Sequence, residues 1–160
     1  MTLTAPVIPR NELAAWADAC RETNQRIVFT NGCFDLIHRG HVEYMAEAAA
    51  VGDILIVAVN SDASVSRLKG PSRPLICEQD RLSVLGHLRA VGALTIFDEP
   101  TPLETIQLVR PDVLVKGDEY AEEDIVGAEF VRSLGGDIVR VAMREGRSTS
   151  SIIESIKRLP

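Results

Sequence analysis

Cysteine is sparse and falls in no pattern. Cys20, Cys33 and Cys77 make an odd count, and no C-x-x-C occurs. This disfavours a disulfide framework and fits a reducing cytoplasm. Positive charge is also short, with 17 Lys and Arg against 23 Asp and Glu, a formal net charge of −6 and a pI of about 5.1. Such a balance excludes a general nucleic-acid or anionic-membrane binder, although a local basic pocket for a small anion needs no basic chain. Long apolar runs are lacking too. The longest, ILIVAV at 54–59, is far too short to span a bilayer. The opening MTLTAPVIPR has no charged region leading into an apolar stretch, so it does not read as a signal peptide. There is no internal repeat and no low-complexity segment. What remains is a chain of 160 residues, 46% hydrophobic, long enough to bury one core.

Apolar runs alternate with helical patterns. Residues 11–23 carry Leu13, Trp16, Ala17 and Cys20 at helical spacing, with Asn11 as the expected N-cap. Further helices are predicted over 40–51, 78–90, 102–109, 122–134 and 148–157, with a short one before Lys69. Pro102 falls in the first turn of its helix and Gly135-Gly136 closes the helix over 122–134. Strands are predicted over 26–30, 54–59, 94–97, 113–115 and 138–141, and residues 1–9 are expected to be loose. Five short apolar strands separated by helices imply a parallel α/β sheet covered on both faces.

Ligands of such sheets sit beyond the carboxyl ends of the strands. After the first strand come Asn31, Gly32, Asp35, His38 and His41. Asn60, Ser61 and Asp62 follow the second, leading to Lys69 and Arg73. Lys116, Gly117 and Asp118 follow the fourth. Arg144, Gly146, Arg147, Ser148 and Thr149 follow the fifth. Cations, glycines and hydroxyls predominate, as a polyphosphate site requires.

Each motif alone has a plainer explanation. His38 and His41, three residues apart at a helix start, suit a phosphate at free backbone N–H groups, with Gly40 allowing close approach. They also suit a structural pair of hydrogen-bonding rings. A zinc site would need further ligands, and neither His87 nor any cysteine is suitably spaced. Gly146-Arg147-Ser148-Thr149 can be an anion site, with Arg147 offering its planar fork, or an ordinary serine cap. Lys69 alone reads as a solvated lysine, whereas Lys116, at a strand end before glycine, is where a ligand would be met.

His38-Arg39-Gly40-His41 fits the H-x-G-H signature of the nucleotidyltransferase superfamily, and Arg147-Ser148-Thr149-Ser150-Ser151 resembles its C-terminal S-T-S/S-S-T element. Together with these, TNGCFDLIHRGHVEY, VAVNSDASVSRLKG, Arg73-Pro74, LVKGDEY and GRSTSSII resemble the adenylyltransferases of ADP-heptose synthesis, from about Arg26 to Ile156. The resemblance implies a Rossmann-like, doubly wound five-stranded parallel sheet with an extra N-terminal helix. Residues 1–25 would form an extension and helix, and 26–157 the catalytic core of a single domain. It implies transfer of the adenylyl group of ATP to D-glycero-β-D-manno-heptose 1-phosphate, with Mg2+. The products would be pyrophosphate and ADP-heptose for lipopolysaccharide core or surface glycans. A cytoplasmic homodimer is also implied. In many bacteria this domain is fused to a sugar kinase, for which 160 residues leave no room, so the resemblance is to the stand-alone form.

The roles carried over are as follows. His38, His41 and Lys69 are catalytic. Asn31, Gly32, Cys33, Phe34, Gly40, Lys116, Gly117, Asp118, Arg147, Ser148 and Thr149 join the two histidines on the nucleotide. Asp35, Asn60, Asp62 and Arg73 join Lys69 on the sugar phosphate, and Asp35 is also the candidate Mg2+ ligand. A guanylyltransferase making GDP-heptose and a glycerol-phosphate cytidylyltransferase share most of these features. A non-catalytic nucleotide-binding module would keep the helix-start anion sites without needing Lys69 and both histidines.

Overall fold

A computed structural model of the chain describes residues 4–142 and 149–159. Five parallel strands stand in the order β3-β2-β1-β4-β5. They are β1 (Ile27–Gly32), β2 (Ile54–Asn60), β3 (Ala93–Phe97), β4 (Val113–Gly117) and β5 (Asp137–Val141). The helices are α1 (Leu13–Glu22), α2 (Arg39–Ala49), α3 (Asp62–Lys69), α4 (Glu78–Gly86), α5 (Leu103–Val109), α6 (Ala128–Ser133) and α7 (Thr149–Lys157). The chain winds outward from β1 through β2 to β3, then returns to the other side of β1 with β4 and β5, the doubly wound arrangement expected from the sequence.

Strand alternation builds two cores. Ile27, Phe29, Ile56 and Leu114 face one side and pack with Leu13, Ala17 and Cys20 of α1, Ile106 and Val109 of α5, and Val131 of α6. Val28, Leu55, Val57 and Val115 face the other, against Tyr44, Met45 and Ala48 of α2 and Leu82 and Leu85 of α4. Trp16 is half-buried against the first core. Burying each large apolar side chain contributes about 1.5–3 kcal/mol, so the two layers hold the sheet from both faces. Among the described residues no helix is long and apolar enough to cross a membrane.

Four local expectations are corrected. Residues 5–9 are not loose: Val7 bridges Leu94 in parallel, Ile8 N–H donates to Leu94 O at 2.7 Å and Leu94 N–H to Pro6 O at 2.9 Å. They extend the β3 edge, where a proline is tolerated because half the N–H groups point outward. Asn11 makes no capping bond; Arg10–Glu12 form a 3-10 turn that feeds α1. The helix expected over 122–134 is a 3-10 turn, Glu122–Asp124, followed by α6. The break falls at Gly127, whose φ of +88° is left-handed, and a Cβ there would lie 2.7 Å from Ile106 Cδ1. Finally, α4 stops at Gly86 rather than Ala90, and His87–Ala90 turn toward β3.

Candidate active site

A cavity of about 450 Å3 opens at the carboxyl end of the sheet. Its position follows from strand pairing. Strands β1 and β4 pair only at Val28 with Val113 and Phe29 with Leu114. Beyond those residues they part, and the crevice is the point where strand order reverses. Tyr44, buried on α2, stands in the gap. Its hydroxyl lies 2.7 Å from Thr30 Oγ1 and donates to Val115 O at 3.1 Å, satisfying groups that the diverging strands leave unpaired. Lys116 Nζ reaches across to Asn31 O at 3.4 Å. Burial pulls the Lys116 ammonium down to about 8, partly offset by the Glu119 charge.

His38 caps α2, its Nδ1 accepting from Gly40 N–H at 3.1 Å. The His38 N–H in turn points at His41 Nδ1 at 3.4 Å. An accepting Nδ1 places the proton on Nε2, so both neutral rings are oriented as Nε2–H donors. The rings lie 4.0 Å apart between centroids, and Phe34 meets His41 edge-on at 5.5 Å. Burial, and then the repulsion that a second charge on the adjacent His38 ring would add, hold His41 down at about 4, so it is neutral at physiological pH. Phe34 has a φ of +49°, a left-handed conformation that costs a non-glycine residue about 1–3 kcal/mol. Gly32 accommodates it: a Cβ there would lie 2.9 Å from Phe34 Cζ.

The far side of the cavity is held by buried charge. Asp35 is 3% exposed. Its carboxylate accepts from Arg73 Nε at 2.5 Å and from the N–H groups of Leu75 and Ile76 at 2.8 and 2.9 Å. Burial alone would raise its pKa, but the Ile76 and Leu75 hydrogen bonds and Arg73 outweigh it and hold the group ionised. These bonds fix the crossing between α3 and α4, which contains a cis Arg73-Pro74 bond. Among the described residues, no three His, Cys, Asp or Glu side chains cluster as a metal site.

Most residues expected at the site converge there. Asn31, Gly32, Cys33, Phe34, Asp35, His41, Asn60, Lys69, Arg73, Lys116, Gly117 and Thr149 all line the cavity. The Asn31 Oδ1 is buried without a hydrogen-bond partner. Thr149, the first residue of α7, is anchored through Oγ1 to Leu36 O at 3.5 Å. His38 is behind the lining, stacked on His41. Gly40 is buried, with its N–H bonded to His38. Asp62 pairs with Arg81 at 2.8 Å, and Asp118 is exposed, its N–H donating to Val141 O at 3.0 Å. Arg144, Gly146, Arg147 and Ser148 lie outside the described residues.

Further lining residues are Tyr44, Leu68, Phe97, Pro100, Pro102, Glu119 and Tyr120. Phe97 ends β3 and Pro100 and Pro102 follow it, so the strand-end rule reaches them once apolar residues are admitted to it. Glu119 and Tyr120 continue the Lys116-Gly117 stretch. The lining thus carries Lys69, Arg73 and Lys116 against Asp35 and Glu119, a local cationic excess inside a chain of net charge −6.

Known proteins share this sequence and shape. A profile described as cytidylyltransferase-like matches residues 29–155. The bifunctional protein HldE of Azorhizobium caulinodans is 51% identical over 155 residues, covering 93% of this chain and 32% of that protein. The bifunctional protein HldE of Koribacter versatilis is 52% identical over 150 residues, covering 94% and 31%. The chain therefore spans about a third of the length of these curated relatives. Among solved structures, the lipopolysaccharide core biosynthesis protein from Thermoplasma volcanium superposes with a TM-score of 0.63 at 29% identity, over 76% of this chain and 99% of that one. Pantoate-beta-alanine ligase from Francisella tularensis superposes with a TM-score of 0.67 at 16% identity, over 92% and 69%, and shares the fold.

Proposed function

The chain belongs to the cytidylyltransferase-like family, and on that premise we propose that it transfers the adenylyl group of ATP to D-glycero-β-D-manno-heptose 1-phosphate, releasing pyrophosphate and forming ADP-heptose. One observation carries the reading: His41, Lys69, Arg73, Lys116 and Thr149 meet around a single cavity at the switch point of the sheet. The relatives named HldE and the lipopolysaccharide core protein favour a heptose phosphate as acceptor.

The nucleophile in this reaction is a phosphate oxygen of the sugar 1-phosphate. A phosphate monoester, with a second pKa of about 6, is already largely ionised at neutral pH, so no general base is needed. The barrier lies in bringing two anions together and stabilising charge on the α-phosphate and departing pyrophosphate. His41 and, behind it, His38 supply neutral Nε2–H donors that need not lose a proton to act. Lys116 faces the nucleotide from β4, while Lys69 and Arg73 receive the acceptor phosphate from the α3–α4 crossing. By their motif, Arg147 and Ser148 are assigned to the triphosphate together with Thr149. Asn60 faces the sugar from the end of β2.

Magnesium would have to be held differently from the expectation placed on Asp35. The Asp35 carboxylate is occupied by three protein donors, so this chain offers no ready carboxylate cage there. In this reading Mg2+ would be held largely by the substrate phosphates and would neutralise their charge. Pyrophosphate release should be measured with ATP, CTP and GTP, each against the heptose 1-phosphate and glycerol 3-phosphate. Release with ATP and the heptose phosphate supports the proposal. Release only with another pair, or with none, overturns it.

A further inference from the structure

Arg81 of α4 takes no part in the chemistry proposed above, yet it is 1% exposed. Its three nitrogens all donate: Nε to Ile76 O at 3.0 Å, Nη1 to Cys33 O at 2.6 Å and Nη2 to Asp62 Oδ1 at 2.8 Å. Each acceptor lies on a different segment of the cavity wall. Cys33 is in the turn after β1. Asp62 opens α3, the helix that ends in Leu68 and Lys69. Ile76 closes the crossing that bears Arg73. None of these bonds goes to either apolar core.

Burying a guanidinium is costly, and well-packed apolar replacements of buried ion pairs are often neutral or stabilising. The gain from Arg81 is therefore sought in position. Asp35 supplies the matching half. The Ile76 residue is gripped at both ends, its N–H by Asp35 and its carbonyl by Arg81. Asp35 also holds Arg73 and Leu75, and Glu78 accepts from Asp62 N–H at 2.8 Å. Lys69, Arg81 and Arg73 all act on the Cys33 thiol, opposing the rise that burial gives it. Lys69 and Arg73 line the same cavity as Cys33, whose carbonyl Arg81 holds.

We infer that Arg81 is a positioning residue for the acceptor half of the cavity. It joins the turn after β1, the start of α3 and the α3–α4 crossing into one frame, so that Lys69 and Arg73 meet the acceptor's phosphate at fixed places. The inference rests on the proposed transfer for the identity of the acceptor, but the frame itself does not depend on turnover.

Two variants test it, Arg81→Lys and Asp62→Asn, with amide hydrogen exchange, ATP affinity by equilibrium dialysis, and KM and kcat for the heptose 1-phosphate. In Arg81→Lys, exchange at Leu75 and Ile76 should rise by about tenfold or more while β1 and β4 amides keep their protection. KM for the sugar phosphate should rise by about tenfold, with the ATP dissociation constant within about twofold of wild type. Asp62→Asn keeps an oxygen facing Nη2 and should move the same readouts in the same direction by about threefold. Unchanged exchange at Leu75 and Ile76 in a folded Arg81→Lys protein would overturn the inference. So would a parallel loss of ATP affinity, acceptor KM and global protection, the mark of a purely structural residue. If Arg81→Lys does not fold, Asp62→Asn decides, and wild-type exchange and KM there overturn the inference. Should the wild-type protein turn over no sugar phosphate, the proposed reaction fails by itself, and the exchange data still decide the role of Arg81.

Discussion

On the side of the cavity assigned to the nucleotide, the working groups come from short continuous stretches. Residues 30–41 turn a strand into the capped start of α2, and Lys116-Gly117 ends β4. On the acceptor side, the groups come from four separate segments tied by two ion pairs, each with one buried member, Asp35 to Arg73 and Arg81 to Asp62. The first half is preorganised locally, by the cap and the stacking of neighbouring rings. The second is preorganised only once α3, α4 and the turn after β1 have met. A local half should therefore tolerate loss of a distant contact, and an assembled half should not.

Removing His41 should break the comparison most severely. His41→Ala deletes the donor proposed to face the triphosphate and should lower kcat by roughly 10^2–10^3, with an unchanged circular dichroism spectrum. Near-normal turnover would remove His41 from the mechanism. Lys69→Ala comes next. It sits exposed at the end of α3, so its loss should cost little stability but reduce kcat/KM for the sugar phosphate by about 10–100-fold. An unchanged kcat/KM would assign it to solvent.

Tyr44→Phe tests the crevice between the halves. The Val115 carbonyl and Thr30 hydroxyl would lose their shared partner, at a cost of about 1–3 kcal/mol in denaturant unfolding. A loss well below that range would mean that the gap between β1 and β4 is held by packing alone. A pH dependence completes the series. His41 titrates at about 4 in the folded protein and near 6.5 when unfolded. Between those values the unfolded chain binds more protons. The stability contributed by the neutral ring is thus complete above about pH 6.5 and falls as pH drops toward 4. Comparing wild type with His41→Ala across that window should show a steeper acid loss in the wild type, and parallel curves would contradict the buried neutral ring.

How much of this is legible in the sequence follows the same division. The strand runs give the five-stranded sheet, and strand ends gather most of the lining residues, because period and position are local signals. The edge pairing of residues 5–9 is hidden, since a chain terminus is expected to be loose and only the β3 edge gives it a partner. Gly127 looks tolerable inside a helical pattern until Ile106 presses against it. Arg81 is the clearest failure. Next to Leu82 on an amphipathic helix it reads as a solvated residue, and nothing local indicates that three wall segments converge on it. Asp35 shows the same limit, since its donors lie about 40 residues downstream.

The most direct test of the central claim is 31P NMR of the chain incubated with ATP, Mg2+ and D-glycero-β-D-manno-heptose 1-phosphate. The account predicts that the sugar phosphate signal is replaced by a sugar-linked diphosphate, with one equivalent of inorganic pyrophosphate. Formation of ADP and a second phosphorylated sugar position, or of orthophosphate alone, would contradict nucleotidyl transfer.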